Sequence, residues 1–498
     1  MTRPSRPLVV VIGGGLAGIT AAIALAEQGA AVTLLEAKPR LGGATCSFSR
    51  DGLIVDTGQH VFLRCCTAYS GLLAKLGVTD RAPLQRRFDV TVLAPGRSAR
   101  LRRTALPAPL HLLGTLPTYH FLSLTQRSAV SRAALAMRRV DPMDPATDEI
   151  RFGDWLARHG QSERARRALW DLFTVSSLNI AGDDASLSLA ATVVKTGLLG
   201  RNDAADIGVP EIPLGELHGD AAAAKLAALG ATVRLNTKVS SITPTPSSDE
   251  ASRHTNRAPS RLVSHESASM FRVELGRGEG EPLVADAVVL AVPANQAARL
   301  IPPDALPGPE VAGWARLGSS PIVNVHVIYD RKVLDLPFAA AVDSPVQWMF
   351  DRTRISGLGG RDGAQYLALS QSAADEDVDT PVAELREKFV PALADLLPKA
   401  RDARVVEFFV TRERHATFRQ LPGTAAARPV AGTKLPGLVL AGSWTSTGWP
   451  DTMEGAVRSG LSAAIELRRL IFSNTGSGTT AISTADTVGN TDSLGERP

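Results

Sequence analysis

One stretch near the start of the chain, Leu8 to Gly43, constrains the fold more than any other. Leu8 to Ile12 is short, wholly apolar and rich in β-branched residues, the pattern of a strand buried on both faces. Gly13, Gly15 and Gly18 follow at G-x-G-x-x-G spacing, with Gly14 between the first two. Leu16 and Ala17 open an Ala-rich segment that predicts a helix to Gln28, closed by Gly29. Val32 to Leu35 predicts a second buried strand, and Glu36 stands at its carboxyl end.

In a βαβ unit each of these positions has a task. Gly13 turns the chain out of the strand, Gly15 lets a pyrophosphate approach the backbone, and Gly18 lets helix pack against strand. The helix opening offers free N–H groups and a positive dipole end to phosphate. Glu36 can accept hydrogen bonds from ribose hydroxyls, and its charge disfavours a 2′-phosphate. The loop that follows, Ala37, Lys38, Pro39, Arg40, Leu41, Gly42, Gly43 and Ala44, puts a basic residue before two glycines and suits a second phosphate edge. Lone glycines also make ordinary turns. Strand, glycines, helix, strand and acid in register point instead to a dinucleotide site.

The 498-residue length predicts two or three domains. A net charge of +4 gives no reason to expect nucleic acid as a partner. The basic start followed by an apolar run imitates a secretory leader, but glycines interrupt the run and no small-residue cleavage site follows. The only cysteines are Cys46, Cys65 and Cys66, without metal-ligand spacing, which implies a reducing compartment and no metal site. We expect a cytoplasmic protein without a transmembrane helix.

Further along, Leu53 to Val55 reads as a strand leading into a polar loop that holds Thr57, Gly58, Gln59 and His60. Arg86, Arg87, Arg97, Arg100, Arg102 and Arg103 precede the Leu-rich, Pro-broken segment Thr104 to Leu124. Two readings of that segment stay open: core of a second domain, or a patch lying on a membrane surface with arginines at the headgroups. Thr147 to Asn179 predicts helix with Ser162 as an N-cap. Asp220 to Leu229 predicts helix, Thr232 to Ile242 and Ala285 to Val292 predict strands, and Pro244 to Ser269 reads as a flexible insertion. Ile322 to Tyr329 alternates like a half-buried strand, with His326 on its polar face. Leu438 to Ala441 predicts a buried strand, Gly442 a loop, and Pro450 precedes a helix starting near Thr452 or Met453. The tail from Ser473 predicts disorder.

These stretches together resemble the flavin-dependent amine oxidase and carotenoid desaturase superfamily. Within it, VDTGQHVFL, PAPLHLL, ATFRQLPG and LAGSWTSTGWPDTMEGAVRSG are similar to the bacterial hydroxysqualene dehydroxylase group. The resemblance implies an α/β fold: a Rossmann-like FAD-binding domain with a discontinuous α+β substrate domain. The FAD-binding parts would be 1–80, 211–299 with the insertion 244–269, and 431–472. The substrate parts would be 81–210, largely helical, and 300–430, with 473–498 as a tail.

FAD is the cofactor the resemblance implies. Glu36 would meet its adenosine ribose, Val239 its adenine side, and Arg40 and Gly43 its pyrophosphate and ribityl. Gly58, Gln59 and His60 would lie near the flavin ring. Gly442, Ser443, Pro450 and Met453 would line the ribityl and isoalloxazine region. Ser443 stands where the family usually has an acid.

The group's reaction is reductive dehydroxylation of hydroxysqualene, with His60 as the proton donor or its orienting group and Asp451 as the second candidate. An isoprenoid substrate that water does not dissolve would arrive from a bilayer or from a squalene-pathway partner enzyme, which makes peripheral contact with the inner face of the membrane an expectation. The alternatives are a phytoene-type desaturase, a flavin amine oxidase, and a non-catalytic flavin protein. Thr452 stands where amine oxidases commonly place an aromatic residue.

Overall fold

The apolar run Leu8–Ile12 forms the middle of a parallel sheet, flanked by Ala31–Leu35 on one side and Ala287–Leu290 on the other. Thr232–Arg234 and Leu438–Leu440 complete its two edges, giving five strands drawn from three distant parts of the chain. The computed structural model describes residues 6–471 except 113, 246–269 and 361–362. Both faces of this sheet are covered, as parallel sheets require. The helix Leu16–Glu27 lies on one face, crossed by the long C-terminal helix Met453–Ile471. That crossing is close because Gly460 has no side chain. A Cβ there would lie 2.9 Å from the Thr20 Cβ and would run into the Ala17 carbonyl oxygen. The two ends of the chain are therefore in physical contact.

A second, seven-stranded sheet mixes segments from both halves of the chain. Its order is Val405–Thr417, Ser320–Tyr329, Gln365–Ser372, Trp348–Asp351, Phe338–Ala341, Asp89–Ala94, Arg97–Arg102. The helix Val382–Leu396 packs on it through Leu385, Phe389 and Leu393. Short helices between residues 124 and 200 build the remaining core around Trp155, Trp170 and Leu178.

Several expectations are corrected. Residues 147–179 do not form one helix: they break into short pieces, with Ser162 accepting from the Ala165 N–H at 3.2 Å and Asn179 ending the last piece in the left-handed region. The expected strand Thr232 to Ile242 is two strands, Thr232–Arg234 and Val239–Thr245, which belong to different sheets. Its middle leaves the sheet to run beside Glu36, where the Thr237 N–H donates to the Glu36 carbonyl at 2.9 Å. The strand Ser320–Tyr329 is not half-buried. Helices and sheet cover both its faces, so its polar residues Asn324 and His326 are fully enclosed. Most of the expected insertion, 246–269, and the tail from 472 lie outside the described residues; Thr245 and Met270 are paired where the chain leaves and returns.

The segment Thr104 to Leu124 divides. Tyr119, Phe121 and Leu122 are core, whereas Leu106 and Leu110 are half exposed. Among the six arginines before it, Arg97 pairs with Asp343, Arg100 and Arg102 with Asp89, and Arg103 with buried Asp206. Arg86 and Arg87 lie exposed. No helix among the described residues is long and apolar enough to cross a membrane.

Candidate active site

All five parallel strands end on one edge, and the chain links them there. The Gly13 N–H donates to the Leu35 carbonyl (2.8 Å), Ala291 to Ile12 (2.8 Å), Ala441 to Leu290 (3.0 Å) and Glu36 to Arg234 (2.9 Å). Gly13, Glu36 and Gly442 thus share the carboxyl edge of the sheet, where open α/β sheets take their ligands.

The glycines there are set by contact. Gly13 adopts φ +108°, and a side chain on it would strike the Ala291 carbonyl. A Cβ on Gly18 would overlap the Gly13 carbonyl oxygen, so helix and turn pack with nothing between them. Gly15 differs: nothing lies nearer its absent Cβ than the Gly43 Cα at 3.9 Å. It precedes a helix start with no side-chain cap, leaving the first N–H groups, those of Leu16, Ala17 and Gly18, to serve a ligand. The second glycine loop abuts the first, with the Gly42 N–H donating to the Gly14 carbonyl at 2.8 Å.

The Glu36 carboxylate accepts from the Gly14 N–H (2.6 Å) and the Lys38 N–H (2.8 Å), one bond to each oxygen. Each oxygen keeps a lone pair for a ribose hydroxyl. Val239 begins its strand just after the chain has passed Glu36, and is buried. Ala37, Lys38, Arg40, Gly43 and Ala44 are exposed on the loop, and Arg40 borders a cleft shared with Pro213, Glu216 and Leu235.

Around His60 the site is polar and enclosed. Asp56 and Arg352 form a buried ion pair, and Asp56 also accepts from the Ser47 hydroxyl (2.6 Å) and the Leu214 N–H (3.0 Å). Tyr69 donates to His218 Nε2 at 2.8 Å, and His218 Nδ1 faces the Thr45 carbonyl at 3.3 Å. Burial drives His218 down to about 4, so its ring is neutral. Burial likewise holds His60 below the ordinary histidine value. His60 Nδ1 and the Asn324 Oδ1 are buried without a partner in the protein. His326, by contrast, is held by Tyr366 (2.7 Å) and Thr411 (3.1 Å), is stacked on Phe409, and has its pKa pushed down to about 3 by burial: it is structural.

The C-terminal loop is organised by Arg428, a residue with no signal in the sequence. Its guanidinium is buried and donates to the carbonyls of Ser443 (3.0 Å), Thr445 (2.7 Å) and Trp449 (2.8 Å). The Ser443 side chain faces Asp451. Asp451 is half-buried and accepts from the Phe418 N–H at 2.8 Å; burial raises its pKa. Pro450 is buried and Met453 half-buried at the helix start. Glu454, in the first turn, accepts from the Ala68 and Tyr69 N–H groups at 3.1 and 2.7 Å, tying this helix to the helix Thr67–Leu76.

The donor set, the open cradle at Gly15 and the lone pairs left on Glu36 fit a dinucleotide whose far end reaches the Gly442 loop. The chain matches the family model described as flavin containing amine oxidoreductase over residues 16–468. It belongs to that family. It is an oxidoreductase, and its cofactor is FAD.

Hydroxysqualene dehydroxylase of Rhodopseudomonas palustris is 28% identical over 92% of this chain and 97% of its own. The 15-cis-phytoene desaturase of Solanum lycopersicum is 25% identical over 92% of this chain and 77% of its own. Among solved structures, cyclohexylamine oxidase from Brevibacterium oxydans superposes with a TM-score of 0.67 at 21% identity, covering 94% of this chain and 100% of that one. Putrescine oxidase bound to putrescine gives 0.65 at 19%, covering 93% and 99%. At such identities the superpositions show the shared fold. Among the described residues no group of three or more metal-ligating side chains converges.

Proposed function

We propose that this flavoenzyme reductively removes the hydroxyl of hydroxysqualene to give squalene. The observation that carries the reading is the match to hydroxysqualene dehydroxylase across nearly the whole of both chains. In such a reaction an allylic C–O bond breaks, the oxygen leaves as water after gaining one proton, and a hydride takes its place on the carbon. FAD, once reduced, supplies that hydride.

In this proposal Gly15, the opening of the helix Leu16–Glu27 and Arg40 hold the pyrophosphate, Glu36 the ribose and Val239 the adenine side. Gly58, Gln59, Gly442, Ser443, Pro450 and Met453 surround the ring system. The N-terminus of the helix Met453–Ile471 favours negative charge beside it. His60 meets the leaving oxygen. Because burial keeps its imidazole neutral, it orients and hydrogen-bonds the hydroxyl. Asp451 is displaced the other way: burial keeps its carboxyl protonated to higher pH, which suits it to supply the proton.

Turnover in the wild type is expected to fall as pH rises through the elevated Asp451 pKa. Asp451→Asn and His60→Ala are each expected to keep bound flavin and lose turnover by about 100-fold or more. Undiminished turnover in either variant removes that residue from the mechanism.

A phytoene-type desaturase is the second reading, favoured by the tomato relative. Incubating the oxidised enzyme with phytoene and the reduced enzyme with hydroxysqualene separates the two.

The substrate is proposed to enter from the inner face of the cytoplasmic membrane or from a partner enzyme of squalene synthesis. The half-exposed Leu106 and Leu110 are the proposed docking point. A Leu106→Asp/Leu110→Asp double variant is expected to lose sedimentation with anionic liposomes while keeping its flavin. Equal sedimentation would dismiss the membrane route.

A further inference from the structure

The run ATFRQLPG, Ala416 to Gly423, grips Asp451 at two points. The Phe418 N–H donates to Asp451 Oδ2 at 2.8 Å, and the Asp451 N–H donates to Gln420 Oε1 at 3.2 Å. One contact holds the carboxylate and the other holds the backbone from which it hangs. Pro450, just before, has no N–H to give, so the Asp451 N–H is the first backbone donor of the loop after Trp449.

Gln420 is fully enclosed. Its other end reaches away from the loop, with Nε2 donating to the Leu178 carbonyl at 2.7 Å. A carbonyl can only accept and an N–H can only donate, so the two partners fix the carboxamide in one orientation. Leu178 is the last residue of the helix Asp171–Leu178, and its carbonyl is one of those a helix end leaves open. A single buried side chain therefore ties that helix end to the Asp451 loop.

The helix end is itself a fixed point. Asn179 follows it, with its side-chain nitrogen donating to the Ser320 carbonyl and the Thr417 hydroxyl at 3.0 Å each, and its side-chain oxygen accepting from the Ala373 N–H at 2.7 Å. The Gln420 carbonyl accepts from the Ser186 N–H at 2.9 Å. Gln420 is thus held on the side away from Asp451 by its own backbone and by an anchored helix.

We infer that Gln420 is the positioning residue for Asp451: its carboxamide sets the Asp451 backbone against the end of the helix Asp171–Leu178, and so fixes where the carboxyl is presented. The inference rests on the dehydroxylase reading for what that carboxyl does. Gln420 itself neither gives nor takes a proton. It keeps the loop in register with Phe418, whose N–H holds one carboxylate oxygen.

Gln420→Asn is the first test. One methylene shorter, the side chain stays polar in the core but cannot span both partners. Turnover of hydroxysqualene by the holoenzyme is expected to lose about tenfold or more in kcat with KM unchanged, since displacing a reacting group by about 1 Å can cost about 100-fold. The Phe418 N–H favours the ionised form of Asp451. A loop that drifts from Phe418 should therefore keep the Asp451 proton to higher pH. Infrared titration of the oxidised holoenzyme follows that carboxyl through the band missing in Asp451→Asn. In Gln420→Asn its midpoint is expected to move by about half a pH unit or more in the alkaline direction.

Gln420→Glu is the second test. Protonated, glutamic acid offers one donor and one acceptor in the same shape. Ionised, it has no donor for Leu178, and it adds a negative charge beside Asp451, near Asp148 and Arg428. Its kcat is expected to match that of the wild type at acidic pH.

A lower melting temperature in Gln420→Asn with wild-type kcat and an unmoved Asp451 band makes the bridge a fold contact only and overturns the inference. So does a Gln420→Glu enzyme no better than Gln420→Asn at acidic pH. A moved band in Gln420→Asn without wild-type turnover of hydroxysqualene keeps the positioning role and defeats the dehydroxylase reading. Wild-type turnover with an unmoved band and full kcat in Gln420→Asn does the reverse.

Discussion

Gly15→Val is expected to give a folded, colourless protein, whereas Gly18→Val is expected to give little folded protein at all. The two glycines sit three residues apart in one motif, yet they answer to different neighbours. A side chain on Gly18 would overlap the carbonyl oxygen of Gly13 and lie 3.3 Å from the Ala291 Cβ, both parts of the central sheet edge. The strand or the helix must move, and the move propagates into a core that includes Val9, Val11, Ile19 and Ile23. A Cβ on Gly15 meets nothing nearer than the Gly43 Cα at 3.9 Å. The volume it fills belongs to the phosphates.

Gly15→Val should therefore keep the wild-type circular dichroism spectrum and bind FAD about 100-fold or more weakly, close to 3 kcal/mol of lost binding. Titration of apoprotein with FAD, read by quenching of flavin fluorescence, measures it. Wild-type FAD affinity in a folded Gly15→Val protein would mean that the phosphates lie elsewhere, and the site at the sheet edge would have to be abandoned.

The contrast also shows which parts of this molecule a sequence can reveal. The strand–glycine–helix–strand–acid unit was legible because every step of it is local: each residue's task depends on neighbours within about thirty positions. The meeting of Leu16–Glu27 with Met453–Ile471 was legible only through the resemblance, since no local rule says that Gly460 lies on Ala17. Residues 235–238 defeat a pattern reading for a physical reason. Their composition suits a strand, but the backbone hydrogen bonds of Asn236 and Thr237 go to the Glu36–Lys38 loop, so the run is cut in two.

The run VNVHVIY misled in another way. Alternating polarity predicts a face turned to water, but here the polar side face is closed by the Tyr366 and Phe409 rings around His326 and by Thr57 at Asn324. Polar residues inside a doubly covered strand answer to buried partners rather than to water. Arg428 offered no signal, because its partners are carbonyls from the Ser443–Trp449 loop, and carbonyls are the same for every residue type.

That anonymity makes Arg428 the most consequential single side chain of the C-terminal loop, and Arg428→Met is expected to be among the most damaging substitutions outside the glycines. Burial lowers the guanidinium pKa to about 10, so it is still charged at neutral pH, with Asp451 and Asp148 opposing the shift. It gathers the Ser443, Thr445 and Trp449 carbonyls onto one planar fork and lies over the Phe418 ring at 5.1 Å. Methionine fills similar volume but donates nothing, leaving three carbonyls without their donor and Asp451 without its nearby cation. Breaking a buried charged network in this way costs about 3–5 kcal/mol.

The expected result is a melting temperature lower by about 5 °C or more and flavin released well before the protein unfolds. Arg428→Lys should rescue little of this, because an ammonium is a single point that cannot reach carbonyls on both sides of the loop. The charge has a separate readout. Arg428 holds the Asp451 pKa down, against the burial that raises it. In Arg428→Met the carboxyl should keep its proton to still higher pH, and the falling limb of turnover against pH should move in the alkaline direction in whatever fraction retains flavin. Wild-type stability and an unmoved limb would show that the loop is held by its backbone alone and that Asp451 does not supply the proton.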